Sequence, residues 1–407
     1  MIDIVLMKIK SELLLLIEKA LLTPVEVKYC SQTIYETLLG CLRLWDSTKD
    51  IKWKDRATHV CNILLSIQRP DGGFDIGYDF NFGRLHRKGQ STSPELVSLV
   101  AIVEYYKRFQ GDDVKKAAEL ASNWIRNNSI KISDEKWAIP YAPYSTKEIM
   151  VYNGTSFAAG AIGVYISVFP DAELEIIYHG MINYLYGVLS NIPNQPGKFW
   201  YYSDQKRIDL SVIQKDKVDY YHQMQQVEMH SMAETCVNSP LQSKLISFAS
   251  EHVAYMQNND GIIPYLNVNM DIHLWGICSC ASGFILAGKV LKNKREEYNA
   301  RAEKILDWIV TYSWNGDYFY PIVSEKGLVI NKDFYVRSDA WVFNSFALAV
   351  KEKINDEKYI LICEKSYCKM ESVNFSGIEN HASNVRIRTV NRILLYFANI
   401  KNKIWRK

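Results

Sequence analysis

Four short clusters in this chain set proton-moving groups beside groups that grip anions and flat rings. Asp219-Tyr220-Tyr221-His222 puts a carboxylate, a phenol and an imidazole side by side. The Tyr221–His222 pair stands where a helix begins and can remove a proton. On a helix, Gln226 and His230 would share the face of His222 at i+4 and i+8. Arg337-Ser338-Asp339-Ala340-Trp341 joins a guanidinium to an indole; the guanidinium can hold a carboxylate through two parallel hydrogen bonds. Tyr78, Asp79, Arg84, His86 and Arg87 crowd a loop spaced by Gly72, Gly73, Gly77, Gly83 and Gly89. Asp271-Ile272-His273-Leu274-Trp275 repeats the theme, with Asp271 read as a helix N-cap.

The candidate catalytic groups are Asp79, Arg84, His86, Tyr221, His222, Arg337 and Asp339. The candidate substrate-binding groups are Tyr78, Trp137, Tyr144, Trp200, Tyr202, His273, Trp275, Tyr318 and Trp341. An aromatic floor with dispersed Asp, His and Arg suits sugars. Ring faces cover the C–H surface of a pyranose, and polar groups address its hydroxyls. No metal or cofactor is expected. Cys278 and Cys280 are two apart, so a helix would point them in different directions. The glycine loop has neither Walker spacing nor a preceding strand.

These clusters are far apart in sequence, so a regular scaffold must gather them. A unit of about 60 residues recurs along the chain. Each unit is a small-residue helix, a charged amphipathic helix, and a Gly/Asp turn running into aromatics. The clearest turns are Gln68 to Phe74, Gln257 to Tyr265 and Trp314 to Pro321; Trp137 to Tyr141 and Lys198 to Tyr202 are weaker echoes. Apolar periodicity predicts first members at 29–46, 92–108, 154–168, 222–237, 271–291 and 337–351. It predicts second members at 53–67, 112–127, 172–190, 241–257, 295–313 and 355–368. The first set is rich in Ala, Gly, Ser and Cys, as suits helices surrounded on all sides. The second set carries one charged face for water. Thr92-Ser93-Pro94-Glu95 reads as a capping box, and Pro240 sits where a helix can start.

Six such pairs predict an all-α fold, an (α/α)6 toroid over 29–370, with an open solenoid as the competitor. A toroid brings the long pair-to-pair loops and the inner helix N-termini to one end. Residues 1–28 are expected to form an amphipathic helix packed on the body, and 371–407 a C-terminal helix with a basic tail.

Composition narrows the function classes. A net charge of +3 and no concentrated basic patch argue against nucleic acid. Aromatics make up 13% of the chain, and 26 tyrosines supply most of them. No apolar run reaches transmembrane length. The first 22 residues carry Asp3, Lys8, Lys10, Glu12, Glu18 and Lys19, unlike a secretory signal. A cytoplasmic protein is expected, with its 8 cysteines reduced and buried.

The turn Gln68…Asp71-Gly72-Gly73-Phe74 after an amphipathic helix resembles one found in two groups of toroids. One group is the terpenoid cyclases and prenyltransferases. The other is the six-hairpin glycan enzymes, including uronate C5-epimerases, polysaccharide lyases and glycosidases. The chain lacks an Asp-x-Asp-Asp acid and a DDxxD motif, which departs from the cyclases. It also lacks an Arg-Gly-x-x-Trp signature of unsaturated glucuronyl hydrolases. The glycan resemblance implies an enzyme acting on an acidic glycan or oligosaccharide. Arg84 or Arg337 would neutralise a uronate carboxylate, Tyr221 or His222 would take the adjacent proton, and His86 or a tyrosine would return one. Hydrolysis by Asp79 with Asp339 or Asp271 is the alternative mechanism. A terpenoid-type toroid and a non-catalytic glycan-binding scaffold are the other classes.

Overall fold

A computed structural model describes residues 28–81, 85–144, 150–204, 218–237, 239–264, 271–354 and 356–377. The helices expected at 1–28 and in 371–407 fall mainly outside the described residues, as do Arg84 and Tyr265.

Twelve α-helices among the described residues form six hairpins. The inner helices are α1 (Ser31–Thr48), α3 (Val97–Phe109), α5 (Tyr152–Ile166), α7 (Tyr220–Glu234), α9 (Leu274–Val290) and α11 (Val336–Lys351). The outer helices are α2 (Ile51–Ser66), α4 (Asp112–Asn128), α6 (Ala172–Gly187), α8 (Pro240–Met256), α10 (Arg295–Ser313) and α12 (Asp356–Ser372). Each inner helix packs on the next, and α11 packs on α1. The ring closes as an (α/α)6 toroid, and the open solenoid is overturned.

The small residues of the inner helices explain how close the ring can pack. A Cβ on Gly160 of α5 would lie 2.9 Å from the Met229 carbonyl oxygen of α7, and one on Gly283 of α9 would lie 2.7 Å from the Met224 carbonyl oxygen. Glycine therefore lets two neighbours press against α7 from either side. At the closing seam, a Cβ on Gly40 of α1 would overlap the Phe343 ring of α11. The outer helices follow the one-sided pattern. In α4, Val114, Ala117, Ala118, Ala121, Trp124 and Ile125 are buried, while Lys115, Lys116 and Glu119 are exposed. Asp50 caps α2 by accepting the Lys52 amide, and Asp171 caps α6 by accepting the Leu174 amide.

The recurring turn is a stitch between outer helices. Gln68 Nε2 donates to the Gly72 and Ala117 carbonyls, both at 2.9 Å, tying the end of α2 to α4. Gln257 Nε2 donates to the Gly261 and Arg301 carbonyls, both at 3.0 Å, tying α8 to α10 in the same way. Gly72 (φ 91) and Gly261 (φ 88) take the left-handed conformation that brings the accepting carbonyl round. In the third clear turn, Lys365 of α12 replaces the glutamine and donates to the Gly316 carbonyl at 3.0 Å.

The long connections hold small antiparallel sheets that the periodicity does not reveal. They are β1 (Phe80–Asn81) with β2 (Leu85–His86), β3 (Ile130–Ser133) with β4 (Lys136–Ala138), and β5 (Ile272–His273) with β6 (Ile322–Val323) and β7 (Val329–Asn331). They correct two local expectations. β5 pairs with β6, which holds Ile272 and His273 extended. Helix α9 thus begins at Leu274 with His273 in the cap position, and Asp271 does not cap it. Thr92-Ser93-Pro94-Glu95 is not a capping box either. Ser93–Leu96 forms a 3₁₀ turn, Thr92 makes no side-chain cap, and Glu95 turns into the ring. All eight cysteines are unpaired; six are buried, Cys236 is half-buried and Cys368 is exposed.

Candidate active site

The N-terminal ends of α1, α7, α9 and α11 converge with the loops around Tyr78, Tyr141 and Tyr202. Arg337, in the first turn of α11, is almost fully buried. Its guanidinium carbon lies 5.2 Å from the Trp275 ring centroid and 5.7 Å from that of Tyr78. Its Nη1 donates to Gln32 Oε1 of α1 at 3.2 Å. The cation is thus framed by aromatic rings and tied to the opposite side of the closing seam.

Aromatic contacts run on from this point. The Tyr221 ring meets Trp275 edge-on at 4.7 Å, and Trp275 lies 6.3 Å from Trp341. Trp341 in turn meets Tyr35 at 6.4 Å. His222 lies 4.0 Å from the Tyr221 ring and 5.6 Å from Tyr202. Its Nδ1 is 2.8 Å from Asp219 Oδ2. Asp219 is buried, with 2% side-chain exposure, whereas His222 keeps 14%. A carboxylate on Nδ1 favours the tautomer that carries its proton there.

Two tyrosines near Arg337 hold their protons. Burial raises the Tyr78 phenol to about 12 despite the nearby Arg337. Burial also raises Tyr141 well above its ordinary value, with Tyr202 adding to the shift.

Behind Arg337 lies a residue the sequence reading assigned elsewhere. Glu95 accepts hydrogen bonds from Ser31 Oγ and, at 2.8 Å, from Gln32 Nε2. Burial pushes its carboxyl up to about 7, against the lowering effect of those two donors. Deeper in the ring, Arg43 Nη1 donates to Asn344 Oδ1 at 2.6 Å, and its Nη2 lies 3.4 Å from Glu228 Oε1. Asn344 Nδ2 donates to Glu36. Burial, then repulsion from Glu228, raises Glu36 well above the usual carboxylate range; burial also raises Glu228.

The structure brings Tyr78, Tyr202, Tyr221, His222, Trp275, Arg337 and Trp341 together and disperses the other candidates. His86 is fully buried, stacked on Phe80 at 4.4 Å, and burial lowers its imidazole to about 4. Asp79 Oδ1 accepts the Lys88 amide at 2.8 Å. Asp339 is fully buried, and its Oδ1 accepts the Phe319 amide at 3.1 Å. His273 is buried in β5. Trp137 packs over Gly180 of the outer helix α6. Tyr144 is exposed and donates to Asp71 Oδ2. Trp200 is buried, with its Nε1 donating to the Leu185 carbonyl. Tyr318 donates to the Lys332 carbonyl beneath Lys369 of α12. His230 also lies in the core, 3.3 Å from Gln242 Oε1. Sequence reasoning missed Gln32, Tyr35, Glu95 and the partnership of Asp219 with His222. Only the last had a local signal, since an Asp three residues before a His at a helix start can reach it.

Among the described residues, no group of three or more His, Cys, Asp and Glu could hold a metal ion. Likewise, no described helix is long and apolar enough to cross a membrane.

The ring and its polar mouth define the chain as an (α/α)6 toroid protein. Among solved structures it is similar to a cellobiose 2-epimerase from Bacillus thermoamylovorans B4167, with 15% identity over 81% of this chain and 90% of that one, and a TM-score of 0.60. It is also similar to a family 88 glycosyl hydrolase from Bacteroides vulgatus, with 10% identity, 81% and 93% coverage, and a TM-score of 0.57. A polysaccharide lyase matches with 10% identity, 82% and 92% coverage, and a TM-score of 0.56. No protein-family model matches the sequence, and no curated protein matches it. At these identities the likeness is one of fold.

Proposed function

We propose that this toroid is a glycan-processing enzyme, and that the mouth around Arg337 and His222 takes an acidic sugar. The observation that supports this reading is the run of contacts from the Arg337 guanidinium to Trp275, on to Tyr221, and from there to the His222–Asp219 dyad. The solved structures of similar fold are described as epimerases, hydrolases and a lyase, which supports the class without choosing among them.

The chemistry this set performs best is proton abstraction beside a carboxylate. Arg337 binds the uronate carboxylate and stabilises the negative charge that builds on it when the C5 proton leaves. His222 Nε2 takes that proton, and Asp219 stabilises the resulting imidazolium. In a lyase, the carbanion's electron pair forms the C4–C5 double bond, and the C4–O bond breaks with its oxygen taking a proton. In an epimerase, a proton returns to C5 from the other face, and Tyr78 or Tyr221 can supply it. Hydrolysis through Asp79 and Asp339 has less support, because Asp339 is fully buried against the Phe319 amide.

Incubation with acidic and neutral oligosaccharides in deuterium oxide tests the reading. Deuterium at C5 of a uronate, or the ultraviolet absorbance of an unsaturated uronate, is expected, with loss in Arg337→Gln and His222→Gln. Turnover of a neutral glycan that survives both substitutions would overturn it.

A further inference from the structure

One chain of hydrogen bonds has no part in the proton transfer. Arg337 Nη1 donates to Gln32 Oε1, Gln32 Nε2 donates to Glu95 Oε1, and Ser31 Oγ donates to Glu95 Oε2. The direction of this chain matters. Ser31 Oγ takes Oε2, so Oε1 accepts from Gln32 whether the carboxyl is ionised or carries its proton on Oε2, and it turns the NH2 of Gln32 towards itself. The carbonyl oxygen of Gln32 must then face the guanidinium. Were the amide reversed, its NH2 would point at a cation and the hydrogen bond would be lost. Ser31 Oγ also lies 2.6 Å from the Asp75 carbonyl oxygen, so its one hydrogen serves either acceptor, and when Glu95 carries a proton on Oε2 it can donate to Ser31 while Ser31 donates to Asp75.

We propose that Glu95, acting through Gln32, is a positioning residue that sets the orientation of the Arg337 guanidinium, and so makes the mouth selective for acidic over neutral sugars. This rests on the reading of Arg337 as the carboxylate-binding group. Glu95 does not touch the substrate. It comes from the 3₁₀ turn before α3, whereas Gln32 lies on α1 and Arg337 on α11, so the chain braces the cation across the closing seam.

The same arrangement couples anion binding to pH. The charged and titratable groups around Glu95 are Cys30, Tyr35 and Glu36 of α1 and its lead-in, Asp75 and Tyr78 of the first loop, Tyr141 of the loop before α5, and Arg337 of α11. Arg337 is the only cation in that set. A negative charge appearing on Glu95 offsets it and weakens its hold on a second anion. With the carboxyl raised to about 7 by burial, affinity for a uronate falls as pH rises through that value.

The test measures binding of glucuronate and of glucose by calorimetry from pH 5.5 to 8.5, alongside thermal unfolding. The wild type is expected to prefer glucuronate, with affinity falling through about pH 7 as the Glu95 carboxyl ionises. Glu95→Met and Gln32→Met are expected to weaken glucuronate binding roughly 5- to 20-fold, the cost of a lost charge-assisted hydrogen bond, and to leave glucose binding within about twofold. Glu95→Gln can still accept from Gln32, so it should restore glucuronate binding while flattening the pH profile. Folded Met variants that keep wild-type glucuronate affinity would overturn the proposal. If the Met variants do not fold, Glu95→Gln decides, and a pH dependence that persists in it is equally fatal. Arg337→Gln separates the two levels. If it leaves glucuronate binding intact, the carboxylate reading fails and the proposal falls with it. If it abolishes binding while the folded Glu95→Met and Gln32→Met variants keep wild-type affinity, only the proposal fails.

Discussion

At the scale of single residues, the dyad and the buried imidazoles carry the clearest consequences. Asp219 holds His222 Nδ1 from a buried position. Asp219→Asn keeps the shape but can present its NH2 to the ring and favour the wrong tautomer. Turnover is expected to fall by about 10²- to 10⁴-fold, the range general acid–base catalysis supplies, with the unfolding temperature nearly unchanged. Steady-state kinetics beside thermal unfolding checks this. His230 illustrates a histidine with no such role. Burial lowers it from 6.5 to about 4. Between those values the unfolded chain binds a proton that the folded chain does not. Stability is therefore lost as pH falls through this window, by at most about 1.4 kcal/mol per pH unit for one group. His230→Gln should flatten that acid limb in denaturant titrations at pH 4 to 6.5. Glu95 has the opposite sign. Its carboxyl is raised from 4.5 to about 7, so its contribution is complete below about 4.5 and is lost as pH rises towards 7. Glu95→Gln should therefore steepen the net rise of stability with pH across this interval.

At the scale of elements, the glutamine stitches set the spacing of the outer wall. Gln68→Ala leaves the Gly72 and Ala117 carbonyls without their shared donor. The expected cost is about 1–3 kcal/mol, and Gln257→Ala should behave alike because its geometry is the same. Substituting the turn glycines separates strain from hydrogen bonding. A Cβ on Gly72 would sit 2.2 Å from the Leu120 carbonyl oxygen, whereas one on Gly261 would meet the Lys304 Cβ at 2.8 Å. Both positions have positive φ, so both alanine variants are strained. Gly72→Ala should be the worse, since the atom in its way is backbone. Urea midpoints of the four variants check the ranking. The recurring motif was legible because its glutamine and glycine are fixed by backbone geometry. The third turn escaped the rule, since Lys365 comes from the helix that follows rather than from the turn.

At the scale of the whole molecule, the ring buries an ionic cluster on α1, α7 and α11 that only closure creates. Glu36 and Glu228 share a single cation, Arg43, and both carboxyls are pushed upward. Arg43→Met would leave two buried carboxyl groups uncompensated, and a loss of about 3–5 kcal/mol is expected. Glu36→Gln should be milder, because burial and Glu228 already oppose the charge on this carboxyl and the amide keeps an acceptor for Asn344 Nδ2. Denaturant unfolding of the pair measures the contrast.

The amino-acid order by itself determined the alternation of small-residue and charged helices, their number, and the turns between them. Each of these depends on residues close in sequence, through helical period, glycine conformation and side-chain polarity. It also marked Tyr221, His222, Trp275, Arg337 and Trp341, because they stand at helix starts. It misplaced Glu95, whose local pattern matched a cap, and it could not separate Trp137, Trp200 or Tyr318 from the rings at the mouth. Tertiary structure alone decided those, because whether a loop aromatic lines a cleft or packs on an outer helix depends on which distant helix lies beneath it. The same holds for the link from Glu95 through Gln32 to Arg337. Its three members come from opposite ends of the chain, and no local pattern encodes a contact that exists only once α11 has closed on α1.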